Sequence, residues 1–102
     1  MPKGYVILTE AIHDPETMRD YERASTAPLL AHHGRILAVD EDVRILEGRW
    51  HGTRTVLVEF PTVDDANAWY ESEDYRAALP LRQAAAECNV ALLTGFSLPA
   101  SR

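Results

Sequence analysis

Cysteine is nearly absent from this 102-residue chain. The single Cys88 excludes an intramolecular disulfide and any multi-cysteine zinc site. Positive charge is also short: ten Lys and Arg against sixteen Asp and Glu leave a net charge of −6. Nonspecific binding to nucleic acid or to an anionic membrane needs a basic surface, so neither partner is expected. No apolar run approaches the roughly 20 residues that cross a bilayer. MPKGYVIL at the N-terminus lacks the apolar segment and small-residue cleavage site of a signal peptide. A soluble, cytoplasmic protein is the expectation. The five glycines are dispersed, without GxGxxG, GKS/GKT or a GxSxG elbow. His32 and His33 are adjacent, with no HxxxH or HxH pattern, so no metal and no cofactor is expected.

What remains is ordinary globular composition, 46% hydrophobic and one domain in length. We read residues 1–97 as that domain and 98–102 as a loose tail. GYVILTEAI (4–12) is β-rich, and Asp14, Pro15 and Glu16 suit the cap and first turn of a helix. Met18 and Tyr21 form its apolar stripe, Pro28 should kink or restart it, and Gly34 should supply its left-handed cap. RILAVD (35–40) and VRILEGRW (43–50) predict a hairpin, followed by the strand TVLVEF (55–60). Thr62 with Asp65 resembles a capping box, after which Val63, Ala66, Trp69 and Tyr70 repeat at helical spacing. Ser72 reads as the cap of a further helical segment carrying Tyr75, Ala78, Leu79, Arg82 and a bend at Pro80, and NVALLTGF (89–96) as the last strand. The order β-α-β-β-α-β predicts a ferredoxin-like α+β sandwich, an antiparallel sheet with broken helices on one face.

Such a sheet has helices for one face only, yet both faces of the strands are apolar. Tyr5, Ile7 and Ala11 alternate with Val6, Leu8 and Ile12, and the later strands do the same. The second face therefore needs a cover, and a second copy packed sheet to sheet is the economical one. A homodimer forming an α/β barrel is the expected assembly.

Candidate chemistry is thin. Glu10, Glu47 and Glu59 lie among apolar strand residues, where carboxylates are rarely left unpaired. Each either pairs with an Arg (35, 44, 49 or 54) or serves as a general base, Glu59 being the best placed between Val58 and Phe60. His32, near a helix C-terminus, is the other candidate for proton transfer. A substrate cleft between helices and sheet would be lined by Tyr21, Phe60, Trp69 and Tyr70, an apolar set with a few polar anchors. A non-catalytic ligand-binding module using the same cavity is the alternative, and haem held by a lone His a more distant one.

Several words also match a known pattern: KGYVI (3–7), DPETMRDY (14–21), HHGRILA (32–38), RILEGRW (44–50), VLVEFPTVDDANAWYESEDYRAALPLR (56–82) and VALLTG (90–95). Together they resemble domain-of-unknown-function family 1330, within the dimeric α/β-barrel superfamily. HHGR departs from the HGGR or YGGR of that pattern, with His33 replacing a glycine. The resemblance implies a ferredoxin-like protomer dimerising through its sheets. Superfamily relatives include cofactor-independent monooxygenases of quinone-like aromatics, isomerases, haem-binding enzymes and ligand-sensing modules. An uncharacterised small-molecule-binding protein, acting on an aromatic or quinone-like substrate as monooxygenase or isomerase, is the functional expectation.

Overall fold

A computed structural model describes residues 1–99; the end of the expected tail, residues 100–102, lies outside the described residues. Four strands and three helices follow the order β1 (Gly4–Ile12), α1 (Pro15–Ala31), β2 (Arg35–Asp40), β3 (Arg54–Phe60), α2 (Val63–Glu71), α3 (Glu73–Ala85) and β4 (Ala86–Thr94). The strands form one antiparallel sheet in the order β2-β3-β1-β4, with Val6 opposite both Val58 and Leu92. This is the ferredoxin-like α+β arrangement.

Local side chains set the helix starts. Asp14 accepts from the Thr17 backbone N–H at 3.2 Å and from its hydroxyl at 2.7 Å. Thr62 accepts from the Asp65 N–H at 3.0 Å. Ser72 works both ways: its hydroxyl donates to the Trp69 carbonyl at 2.8 Å and accepts from the Tyr75 N–H at 3.2 Å. One serine thus ends α2 and begins α3, since each cap satisfies backbone groups that the helix leaves orphaned.

Four expectations are corrected. The run 43–50 forms no strand; residues 41–53 are an irregular connection, and β2 pairs instead with β3, with a bulge between Ile36 and Ala38. Gly48 and Gly52 hold φ of +77° and +84° there, incompatible with a continuous ladder. At Gly52 a Cβ would come within 2.4 Å of the Glu10 backbone. Pro28 lies buried inside an unbroken α1, because a missing N–H so near the helix end removes one bond without stopping the turn. Gly34 is not the left-handed residue; His33 is, at φ 64°. The His33 N–H reaches the Leu30 carbonyl at 3.1 Å and the Gly34 N–H that of Leu29 at 2.9 Å, a Schellman pair one residue earlier than expected. Gly34 is small for room instead, since a Cβ there would meet Leu29 and the Phe60 ring. The last strand likewise begins at Ala86, directly after α3, rather than at residue 89.

Val6, Leu8, Val58 and Phe60 from the sheet pack with Met18, Tyr21, Ala66, Trp69, Tyr75, Ala78 and Leu79 from the helices. Tyr75 and Phe60 are wholly enclosed. The opposite sheet face, carrying Tyr5, Ile7, Leu57, Ala91 and Leu93, is uncovered, and Leu93 is 49% exposed. No described helix is long and apolar enough to cross a membrane.

Candidate functional site

Helix α1 packs along α3 and stands off the sheet, so the space beneath it is incompletely filled. The result is a cleft of about 180 Å³ between α1 and strands β1, β2 and β3. Leu8, Val56 and Val58 make its floor, and Ile36 and Val39 its outer wall, on the side of the edge strand. Tyr21 and Trp69 line it as well.

Its polar groups come from Glu10, Arg54 and Glu22. Glu10 is 1% exposed; the Nε of Arg54 donates to its Oε1 at 2.7 Å, and Nη1 of Arg54 donates to Oε2 of Glu22 at 2.8 Å. Burial works to lower the Arg54 pKa, but the hydrogen bonds and charges of the two glutamates outweigh it and raise the group. The hydroxyls of Ser25 and Thr26 complete the α1 side; that of Thr26 is turned back to the Glu22 carbonyl at 2.7 Å.

The expected site residues separate. Tyr21 and Trp69 share the cleft, whereas Phe60 supports Trp69 from behind, ring centroids 5.3 Å apart. Tyr70 turns to the far side of α2, where it lines two other clefts and lies 5.1 Å beneath the Arg76 guanidinium. His32 is half-buried at the C-cap of α1 and does not line the cleft. Glu59 projects onto the uncovered face. There it accepts from the Tyr5 hydroxyl at 3.0 Å and from Arg35 at 2.9 Å, with Lys3 at 3.6 Å. Burial works to raise its pKa, but Tyr5, Lys3 and Arg35 outweigh it and hold the carboxyl below its ordinary value. Glu47 is exposed in the 41–53 connection.

Behind Trp69 lies an aromatic and cationic cluster. Tyr75 stacks on Trp69 at 4.2 Å, and its hydroxyl meets that of Tyr21 at 2.8 Å. Burial, with Tyr75 adding to it, pushes the Tyr21 phenol far above its ordinary range. The Trp69 Nε1 is buried without a hydrogen-bond partner, a group that native structures seldom tolerate. Leu29 reads in the sequence as part of the apolar face of α1, whereas Glu22 and Ser25 do not stand out as site residues, although the i, i+3, i+7 spacing of the three marks one face of the helix. Arg54 stood out only as one of several partners for a strand glutamate.

An antiparallel ferredoxin-like sheet with one helical layer, and a cleft beneath its first helix, define a small ferredoxin-like α+β sandwich. The chain belongs to the family described as Domain of unknown function (DUF1330), whose model matches residues 3–96. Solved structures agree on the fold. The chain is similar to RPA0582, a protein of unknown function from Rhodopseudomonas palustris, at 18% identity and TM-score 0.76, over 95% of this chain and 85% of that one. It is similar to SnoaB, a cofactor-independent oxygenase from Streptomyces nogalater, at 10% identity and TM-score 0.70, over 96% and 97%. It is also similar to a dimeric ferredoxin-like protein of unknown function from Thermobifida fusca, at 16% identity and TM-score 0.64, over 91% of each. No curated protein matches the chain.

Proposed function

We propose that the chain acts in the cytoplasm as a homodimer packed through its uncovered sheet face, and oxygenates or isomerises a compact aromatic or quinone-like molecule in the α1 cleft without a cofactor. The cleft carries this reading: apolar walls, two aromatic side chains and a short row of charged groups match what small-molecule sites use. At about 180 Å³ it is below the roughly 300 Å³ at which drug-sized sites begin, so the ligand is compact. The likeness to a cofactor-independent oxygenase supports the reaction class. In the oxygenation, base removes a proton from a reduced ring carbon and molecular oxygen attacks that carbon. One oxygen atom stays as a carbonyl, the other leaves as water, and the substrate supplies the electrons. For a ligand in this cleft, Tyr21 and Trp69 hold the ring, and the proton-accepting role expected of Glu59 or His32 falls to Glu10. Phe60 and Tyr70 shape Trp69 from either side.

Glu10 is already held by Arg54, and that pairing favours a non-catalytic ligand-binding module as the second reading. Oxygen uptake with a naphthol or anthrone probe separates the two. The enzyme reading expects uptake that Ile36→Trp, filling the cleft from its exposed wall, abolishes. Quenching of tryptophan fluorescence by the probe without uptake selects the binding module. Neither response, or responses indifferent to Ile36→Trp, overturns both. For the assembly, Leu93→Asp should convert a dimer in light scattering to a monomer, and a wild-type monomer at micromolar concentration would refute it.

A further inference from the structure

Arg82 is a second charge inside the molecule, apart from the Arg54 cluster. It sits in the last turn of α3 and is 3% exposed. Its Nε donates to the Tyr75 hydroxyl at 3.4 Å, and its guanidinium carbon lies 5.8 Å from the Tyr21 ring centroid. Among the described residues no carboxylate oxygen lies within 4 Å of it; the ion pairs of the fold all involve other cations. A guanidinium presents five N–H donors and does not lose its proton, and buried charges in native proteins are paired. The end of α3 offers about half a negative charge in partial form, which is no substitute for an acceptor on the fork.

The fork, held by no described carboxylate and with only the Cys88 side chain as a further weak partner, opens on space. Arg82 lines a cleft of about 300 Å³ between α3 and β4, with Tyr70, Gln83, Ala86, Cys88 and Val90. We propose that this cleft is an anion site for a compact monocarboxylate, gripped by Arg82, with the Gln83 amide and Tyr70 hydroxyl as neutral donors. A planar guanidinium matches a carboxylate in two parallel bonds. A single cation beside the C-terminal end of a helix suits one negative charge and disfavours a phosphate dianion. Ala86 and Val90 give an apolar wall for the rest of the acid. The site is independent of the α1 cleft, whose own Arg54 is neutralised by Glu10 and Glu22.

Titration of isotope-labelled full chain with benzoate, followed by amide correlation NMR, tests the proposal. The Arg82 Nε–H signal and the amides of Gln83, Cys88 and Val90 should shift and saturate at about millimolar benzoate. Benzamide, the uncharged isostere, should leave them in place. Arg82→Gln should abolish the response. Because loss of a buried Arg endangers folding, Gln83→Glu on the exposed rim is the companion variant; its like charge should weaken benzoate by about tenfold without disturbing the remaining spectrum. Equal shifts with benzamide, no saturable shift, or inorganic phosphate acting below the benzoate concentration would overturn it.

Discussion

Replacing His33 by glycine should make the protein more stable, although it removes a side chain. His33 closes α1 at φ 64°, a conformation in which a non-glycine residue carries about 1–2 kcal/mol of steric strain. Its side chain is exposed and enters no described hydrogen bond or ion pair, so little is lost with it. Glycine gives back part of the gain through its freer unfolded chain, about 0.5–1 kcal/mol. The net expectation is a stabilisation of about 0.5–1 kcal/mol, or a rise in Tm of about 3–6 °C for a chain of this size. Urea unfolding at fixed protein concentration should show a higher midpoint with an unchanged slope, which keeps the effect in the native turn rather than in residual structure. Val at the same position should fall below wild type, because β-branched residues tolerate positive φ worst. If His33→Gly unfolds at or below the wild-type midpoint, the strain attributed to this turn is not there.

Two further substitutions probe the charged groups. Arg54→Met strands Glu10 in the core and should cost about 3–5 kcal/mol, whereas adding Glu10→Met should recover most of it; equal losses in the single and double variants would contradict a buried pair. Glu59, held below its ordinary value of 4.5, binds fewer protons folded than unfolded, so its stabilisation is full above that value and fades as pH falls through the folded pKa. The stability gap between wild type and Glu59→Gln should therefore narrow on acidification, and a gap that widens toward low pH would reverse the assignment.

Much of the architecture could be read in advance because it is written in local chemistry. The bounds of β1, the caps at Asp14, Thr62 and Ser72, and the division between α2 and α3 follow from side chains bonding to backbone a few residues away. The run 43–50 has the alternation of a strand and is none, since pairing depends on which partner occupies the neighbouring edge, and β3 does. Alternation also placed Glu10 with Val6 and Leu8, and Glu59 with Leu57. It carried no sign of which face the helices would take, and that choice sends Glu10 into the core and Glu59 outside. The cleft itself was invisible, for it arises from α1 leaning on α3, a relation between residues more than forty positions apart that no periodicity encodes.

The position of β1 in the sheet also has a consequence for synthesis. It is flanked by β3 and β4, and β2 reaches it only across β3. The segment from Gly4 to Asp40, holding β1, α1 and β2, therefore contains no adjacent pair of strands. An apolar segment that will become the centre of the sheet must wait unpaired while its first neighbour, β3, emerges from the ribosome, and its second comes only with β4. Folding of this order closes its longest loops last, which slows it and exposes β1 to wrong partners in the interval. A nascent chain released early, before residue 86, would have the helices and one flank of its central strand, and an open edge on the other.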